Sequence, residues 1–246
     1  MIKNLFASIF SLVGYKVMKN ETFDDYLERQ DFCDKSLSYL RSMIGSQSQI
    51  MQDLFVLCET DMKKNGFFVE FGATNGLELS NTYLLEKLFA WNGILSEPAH
   101  CWKEEIVKNR NCKIDFRCVW SETGKIIEFN EADIAELSTI DYYSYGDNHA
   151  DARKVGSKYL VETVSLNDLL IQNNAPDVID YLSIDTEGSE FDILSAFDFQ
   201  KYDVRIISCE HNYKKKNRDK IFNLLSSYGY KRKLTASSCF DDWYVK

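Results

Sequence analysis

The alternation of short apolar runs with stretches of helical periodicity, which begins at Gly66, restricts the fold more than any other feature. Between helices, the apolar runs predict five strands, at residues 67–71, 93–96, 113–119, 178–184 and 204–209. Strands separated by helices of this length favour a parallel, doubly wound α/β sheet. Two further strands, at 230–234 and 243–245, are joined by a loop alone and predict an antiparallel C-terminal hairpin at one edge. We therefore predict one α/β domain over residues 63–246.

The first part of the chain, residues 1–62, predicts an N-terminal helical extension. Its opening apolar residues recur at helical spacing, but the apolar section is shorter than the roughly 20 residues that a spanning helix needs. No small-residue cleavage site follows it cleanly. Two interpretations of residues 2–18 stay open, namely a helix packed on protein and a helix lying in a membrane interface. We expect a cytoplasmic protein, peripheral to a membrane in the second case.

The charge and cysteine content narrow the class of protein. The formal net charge of −9 opposes binding to nucleic acid, which needs clustered cations. Seven cysteines without a C-x-x-C pair are typical of reduced thiols in the cytosol, and three histidines argue against a zinc site. The basic runs at 214–216 and 231–233 are either solvated surface or a dock for an acidic substrate. The sequence leaves the oligomeric state open.

The segment 130–158 is polar and rich in tyrosine, with "DYYSYGDNHADARKVGS" at its centre. Long loops without a core of their own are usually functional or disordered. We therefore predict that this segment is an insertion or a lid over the acceptor.

Four predicted strands end in small or polar residues. These ends are "EFGATNG", "SEP", "IDTEGSE" and "CEHN". In a doubly wound sheet, ligands bind outside the carboxyl ends of the strands, near the point where the strand order reverses. The four segments together therefore predict one binding site at one sheet edge.

The residues at these ends favour a particular kind of ligand. Gly72 and Gly76 form G-x-x-x-G, which differs from the dinucleotide fingerprint, and no P-loop is present. Glu97 is either an acceptor for the two hydroxyls of a ribose or a surface acid before a proline turn. Glu70, inside a buried strand, needs hydrogen bonds or a cation, which an aminoacyl ammonium would supply. One ribose, no pyrophosphate and a cationic amino-acid end describe S-adenosylmethionine better than a dinucleotide.

The order of several segments makes the resemblance specific. The chain resembles the FkbM family of S-adenosylmethionine-dependent methyltransferases from about residue 48 to its end, outside 130–158, in the segments "SQSQIMQDLFV", "GFFVEFGATNGLELSNTYLLEK", "WNGILSEPAHCW", "CVWSETG", "DYLSIDTEGSEFDIL" and "IISCEHN". The resemblance implies the class I methyltransferase (Rossmann-like) sheet. A departure lies at Thr74-Asn75, where family members often carry another polar pair.

The same resemblance implies a set of cofactor-binding residues. It places the methionine portion near Glu70, Gly72, Ala73 and Gly76, the ribose on Glu97, and the adenine near Trp120 and Ser121. It matches Gln49 and Asp53 to a helix that closes over the pocket, and Asn81 and Thr82 to the family's "SNT". We assign four further residues to the pocket: Thr74, Pro98, Asp185 and Glu187.

Members of the family are taken to methylate hydroxyl groups, mostly on sugars or natural products, so the expected partner is a sugar or glycan acceptor. An alcohol is a poor nucleophile and needs a general base or a metal ion. The candidates for catalysis are His211, Asp185 and Glu210, with His211 as a base near neutrality. Alternatively, His211 is a surface histidine, and Asp185 with Glu210 binds Mg²⁺ through oxygen ligands. The sequence does not decide between a general base and a metal ion as the group that activates the acceptor hydroxyl.

Two other classes of protein stay open at this stage. One is a nicotinamide-dependent Rossmann oxidoreductase, against which the missing G-x-G-x-x-G already argues. The other is a non-catalytic, membrane-associated interaction protein that kept the fold.

Overall fold

The computed structural model describes residues 45–145 and 149–246, in which the largest element is a seven-stranded sheet. Eleven strands are formed among these residues. In chain order they are β1 Phe67–Phe71, β2 Asn92–Ser96, β3 Lys113–Asp115, β4 Cys118–Trp120, β5 Ile126–Glu131, β6 Thr139–Ile140, β7 Ser157–Ser165, β8 Val178–Ile184, β9 Asp203–Glu210, β10 Lys231–Lys233 and β11 Asp241–Val245. The seven-stranded sheet has the order β10-β11-β9-β8-β1-β2-β3.

The direction of these strands confirms the predicted sheet. Strands β3, β2, β1, β8 and β9 are parallel, whereas β11 runs antiparallel to β9 and to its hairpin partner β10. The chain builds outward from β1 to β3 on one side and from β8 to β9 on the other. The strand order therefore reverses between β1 and β8, where both strands end at the same edge. The fold is α/β and Rossmann-like, with the antiparallel C-terminal hairpin.

Seven α-helices accompany the strands in the described ranges. They are α1 Gln52–Glu59, α2 Tyr83–Phe89, α3 Lys103–Asn109, α4 Ala150–Arg153, α5 Leu166–Gln172, α6 Glu190–Ala196 and α7 Lys215–Ser227. Apolar residues of α5, α6 and α7 pack on the buried faces of β8 and β9 in one continuous core. Ser165 caps α5 by accepting a hydrogen bond from the amide of Asp168 at 3.1 Å.

The segment after β3 forms a second sheet; the apolar runs near 124–130 and 161–165 predict two of its strands, but the sequence does not show how they pair. Its strand order is β4-β7-β5-β6, and β5 pairs antiparallel with both β6 and β7. The single strand predicted at 113–119 is wrong, because Lys113–Asp115 pairs with β2 and Cys118–Trp120 pairs with β7. The segment 130–158 contains β6, α4 and two short 3₁₀ turns.

The described part of the predicted extension includes α1, whose buried face contacts the C-terminal hairpin. Phe55 stacks on Trp243 with ring centroids 4.7 Å apart. The apolar stretch at residues 2–18 lies outside the described residues. None of the helices in the described ranges is long and apolar enough to cross a membrane. The six cysteines in these ranges are all free.

Candidate active site

One cavity of about 250 Å³ opens at the carboxyl ends of β1, β2, β8 and β9. The four strands are neighbours in the sheet and parallel, so their ends meet at one edge. Ten of the residues predicted from the sequence line this cavity: Gln49, Glu70, Gly72, Thr74, Asn81, Glu97, Pro98, Asp185, Glu187 and Glu210. The structure thus brings the four strand ends into a single site.

Gly72 permits the close approach of β1 and β8 at the cavity. Its φ is +70°, and a Cβ there would lie 1.9 Å from the carbonyl oxygen of Asp185. Only glycine adopts this conformation without strain and leaves room for that oxygen. The backbone of Gly72 therefore fixes where Asp185 stands relative to the loop after β1.

Glu70 obtains its partners from the protein itself. Its carboxylate accepts hydrogen bonds from the backbone amide of Asn81 at 2.7 Å and from the hydroxyl of Ser80 at 3.0 Å. The hydroxyl of Thr82 donates to it at 2.5 Å, and Arg110 lies 3.6 Å away. The cation that the sequence argument assigned to a bound ammonium is therefore Arg110. Glu70 holds the loop that follows Gly76 in place beside the cavity.

Arg110, at the end of α3, is a site-building residue that the sequence argument missed. Its guanidinium is buried and donates to the carbonyl of Gly76 at 3.2 Å, the hydroxyl of Thr82 at 2.8 Å and the carboxylate of Glu86 at 2.7 Å. A Cβ on Gly76 would lie 2.7 Å from the Arg110 side chain. Gly76 and Thr82 thus shape the loop from beneath, and neither they nor the buried Ala73 line the cavity.

Glu97 is a buried carboxylate at the tip of β2. Its two oxygens accept hydrogen bonds from the amides of Thr74 at 3.0 Å and Ala99 at 2.8 Å. Burial raises the pKa of Glu97 to about 7, although the two amides oppose this shift. Each oxygen keeps a second lone pair, so the ionised group can accept two hydroxyl donors from a ligand in the cavity.

The apolar wall near Glu97 differs from the sequence prediction. It consists of Cys118, Val119, Phe129 and Ile140, all of which line the cavity. Trp120 and Ser121, predicted to lie near the adenine, instead line a second, open depression. The sequence predicts one strand over 113–119, which includes most of β4, so the side of β4 on which each residue lies could not be assigned from the sequence.

Asn81 presents an unsatisfied acceptor at the same cavity. Its side-chain nitrogen donates to the hydroxyl of Ser183 at 3.0 Å, while its oxygen is buried and has no hydrogen-bond partner among the described residues. A buried polar atom without a partner is costly unless a ligand supplies a donor. This oxygen therefore suits a bound ammonium or hydroxyl group.

The helix α1 reaches the site through the residues around its start. Gln49 lines the cavity, but Asp53 is buried beneath it and accepts from the hydroxyl of Ser48 at 2.6 Å. Gln52 donates to the carboxylate of Asp241 at 3.0 Å, which ties α1 to β11. Asp53 therefore supports the segment that carries Gln49 and does not itself face the cavity.

Three carboxylates meet at the ends of β8 and β9. Asp185, Glu187 and Glu210 can place one oxygen each within 4.8 Å of one another. Burial and the neighbouring negative charges raise the pKa values of Asp185 and Glu210 well above the ordinary range. Like charges this close disfavour the ionisation of both groups.

The third carboxylate of the cluster is occupied by protein donors. Glu187 accepts from the buried guanidinium of Arg153 at 2.9 Å and from the amide of Asn212 at 2.8 Å. Asn212 also donates to Glu210 at 2.9 Å. A guanidinium already neutralises Glu187, which disfavours a Mg²⁺ site that uses all three carboxylates. Arg153, in the segment 130–158, was not singled out from the sequence.

His211 is not placed to act as the base. It is buried, and it does not line the cavity. One ring nitrogen lies 3.1 Å from the carbonyl of Asp241, and the other accepts from the amide of Tyr213 at 3.0 Å. Burial lowers the pKa of His211, although Asp242 opposes the shift. Both nitrogens serve the packing of β9 against β11, so this geometry does not support a catalytic role.

Comparison with known proteins gives one family match. Residues 70–232 match the family described as the methyltransferase FkbM domain. No curated protein matches the chain. This match covers more than half of the 246 residues.

Several solved structures are similar in part. An FkbM methyltransferase from Methylobacillus flagellatus KT has a TM-score of 0.47 and 13% identity, with 74% of this chain and 44% of that one covered. An O-methyltransferase from Bacillus cereus, solved in complex with SAH, has a TM-score of 0.42 and 12% identity over 100% of both chains. A precorrin-6y C5,15-methyltransferase from Geobacter metallireducens GS-15 has a TM-score of 0.43 and 12% identity, with 79% of this chain and 87% of that one covered. The chain spans less than half of the Methylobacillus protein.

Proposed function

The chain belongs to the methyltransferase FkbM domain family, and on that premise we propose that it methylates a hydroxyl group of a sugar, a polysaccharide or a related natural product. It is an S-adenosylmethionine-dependent methyltransferase with the class I fold. The observation that carries the hydroxyl proposal is the pair of carboxyl groups of Asp185 and Glu210 at the cavity, because an alcohol acceptor needs a group that takes up its proton.

The cavity offers the contacts that the cofactor requires. The ribose is assigned to Glu97, whose carboxylate retains free lone pairs. The unpartnered oxygen of Asn81 is assigned to the ammonium of the amino-acid end. The adenine is assigned to the wall formed by Cys118, Val119 and Ile140. When bound, S-adenosylmethionine supplies an electrophilic methyl group.

The protein's own contribution to the reaction is positioning and proton transfer. The turn after β8 holds Asp185 at the cavity, and Gly72 fixes the position of that turn. The carboxyl pair of Asp185 and Glu210 takes up the proton of the acceptor hydroxyl, and the raised pKa values of the two groups make them stronger bases than ordinary carboxylates. Arg153 neutralises Glu187 and Asn212 hydrogen-bonds it, so the pair of Asp185 and Glu210 is the part of the cluster left to accept a proton.

Calorimetric titration with S-adenosylhomocysteine tests the cofactor site, and methyl transfer from radiolabelled S-adenosylmethionine to neutral sugars tests the acceptor class. We expect Glu210→Gln to lower kcat by about a hundredfold, a typical general-base contribution, while S-adenosylhomocysteine affinity changes little. Glu104→Gln, on the exposed surface of α3, is the control and should leave both quantities unchanged.

A metal-dependent mechanism predicts a different result in the same assay. Added Mg²⁺ or a chelator should leave turnover unchanged if the carboxyl pair is the base. Failure of well-folded protein to bind S-adenosylhomocysteine would defeat the cofactor assignment. Transfer to nitrogen or carbon acceptors but to no hydroxyl would defeat the proposed acceptor class.

A further inference from the structure

A second depression lies beside the cavity and is lined by aromatic side chains. Trp120, Tyr142, Tyr143 and Phe191 all contribute to it. The rings of Tyr142 and Tyr143 meet edge to face, with centroids 5.0 Å apart and planes at 89°. Tyr142 is 86% exposed, so one of its faces is available to a ligand. The two rings form a corner that is open to solvent.

The depression adjoins the cavity that holds the carboxylates. Ile140 lines both spaces. The ring of Tyr143 lies against Gly188, where an added Cβ would be 3.0 Å from the Tyr143 side chain. Gly188 belongs to the turn that also carries Asp185 and Glu187. A chain-like ligand lying in the depression would therefore reach the acidic turn within a short distance along its length.

The charged groups at the depression include more carboxylates, which accept hydrogen bonds, than ammonium groups. Glu128, Asp141 and Asp192 line it. Lys158 lies 2.8 Å from Asp141 and 3.8 Å from Glu128, and Lys220 lies 4.9 Å from the Phe191 ring. Three carboxylates against two ammonium groups disfavour an anionic ligand. Carboxylates instead suit hydroxyl donors, which each oxygen can accept.

We infer that this depression binds the neutral sugar residues of an oligosaccharide next to the residue that is methylated. Aromatic faces pack against the apolar C–H faces of a pyranose ring, while the surrounding carboxylates accept its hydroxyl protons. The Tyr142–Tyr143 corner and the shared wall at Ile140 are the features that carry the inference. It rests on the proposed hydroxyl acceptor and narrows that acceptor to an oligosaccharide or longer glycan without acidic groups at this position.

Saturation-transfer NMR titrations with neutral trisaccharides of glucose, mannose and galactose test the site, with sialyllactose as the acidic comparison. The protein is used as the full chain, saturated with S-adenosylhomocysteine. At least one neutral trisaccharide should bind, and sialyllactose should bind more weakly. Tyr142→Ala should weaken that binding by about fivefold or more, the scale of losing one aromatic contact. Because Tyr142 is exposed, this variant should fold normally.

Tyr145→Ala is the matched control, since Tyr145 is 62% exposed in the same segment and does not line the depression. It should bind the trisaccharide as the parent protein does. The inference is overturned if no neutral trisaccharide binds, if Tyr142→Ala binds normally, or if both variants lose binding equally. It is also overturned if Tyr142→Ala weakens the binding of S-adenosylhomocysteine, because the depression would then belong to the cofactor site.

Methyl transfer to the same trisaccharides separates this inference from the proposed function. Binding that depends on Tyr142, with no methylation of any hydroxyl, would support the depression as a glycan site and defeat the proposed acceptor class. If a trisaccharide is methylated and Tyr142→Ala does not change that methylation, the acceptor class would be supported and the assignment of the depression as a glycan site would be overturned.

Discussion

At the scale of single residues, Glu97 links the electrostatics of the cavity to ligand binding. Its pKa of about 7 arises because the carboxylate is buried. Accepting two ribose hydroxyls requires the ionised form, so binding should release a proton wherever Glu97 is still protonated. The proton linkage therefore gives a test of the ribose assignment that does not depend on turnover.

We predict that the affinity for S-adenosylhomocysteine rises about tenfold between pH 6 and pH 8, as Glu97 ionises. Calorimetry across this pH range measures the effect. In Glu97→Gln the rise should be absent, and the affinity at pH 8 should be lower than that of the parent protein. A parent protein whose affinity does not change with pH, or a variant that keeps the full rise, would contradict the assignment of the ribose to Glu97.

The site residues that backbone topology places could be predicted from the sequence. Those that reach the site through a long side chain could not. Gly72, Glu97 and Asp185 follow directly on neighbouring parallel strands, so their meeting could be deduced from strand order. Arg110 and Arg153 come from helices whose local sequence is polar and looks like solvated surface. Their burial depends on carboxylates far away in the sequence, Glu70 and Glu187, and no local pattern reports that.

At the scale of elements, Glu70 explains why one predicted helix was too long. The sequence predicts a helix over 77–89, but α2 begins only at Tyr83. The amide of Asn81 and the hydroxyls of Ser80 and Thr82 donate to Glu70 instead of joining a helix. Apolar periodicity alone cannot show that a distant carboxylate competes for these donors.

The split of the strand predicted at 113–119 has a similar cause. The carboxylate of Asp115 accepts hydrogen bonds from the amide of Arg117 at 2.9 Å and from its guanidinium at 2.6 Å. This local bonding turns the backbone between β3 and β4, so that the two halves enter different sheets. The apolar pattern continues across the break and hides it.

The helix α4 joins the site through Arg153, and its contacts give a prediction at this scale. The guanidinium bonds to the carbonyl of Leu137 at 2.6 Å and to Glu187 at 2.9 Å. Arg153→Met should lower the free energy of unfolding by about 3 kcal/mol, because it leaves the buried Glu187 without its cation. Urea unfolding followed by circular dichroism measures the change.

The double variant with Glu187→Gln is the control for this effect. If the loss in Arg153→Met comes from the uncompensated charge, Glu187→Gln should recover part of the stability in that background. Strictly additive losses would show that Arg153 contributes by packing alone. A stability equal to that of the parent would contradict the ion pair altogether.

At the scale of the whole molecule, the seven-stranded sheet was predictable and the pairing of the second sheet was not. The strand order follows from the alternation of strands and helices, and the final hairpin follows from its short connection. The second sheet pairs β4 with β7 and β7 with β5 across long stretches of sequence. The apolar runs near 124–130 and 161–165 predict strands by themselves, but no local pattern shows which strands they pair with.

The balance of buried carboxyl groups determines how global stability varies with pH. Burial raises the pKa values of Glu97 and Asp241 to about 7, and those of Asp185 and Glu210 rise as well. Between the ordinary carboxyl pKa and pH 7, the folded protein therefore binds more protons than the unfolded chain. The stability that these groups contribute is present at low pH and is lost as pH rises through 7.

Glu86 acts in the opposite sense in a different pH range. Although burial opposes it, Arg110 and the amide of Asn111 lower the pKa of Glu86 to about 2. Its contribution is present above the ordinary carboxyl pKa and is lost as pH falls toward 2. Stability should therefore be greatest near pH 4 to 5, between the ranges in which the two effects operate.

We predict that the free energy of unfolding in urea falls between pH 5 and pH 8. Asp241→Asn should reduce that fall by about 1 kcal/mol or more, because it removes one of the groups that must ionise while buried. Asp219→Asn, in the exposed part of α7, should leave the fall unchanged. A stability that rises from pH 5 to pH 8 would mean that the carboxyl groups at the strand ends are ionised in the folded protein. The carboxyl pair would then lack the raised pKa values that strengthen it as a base.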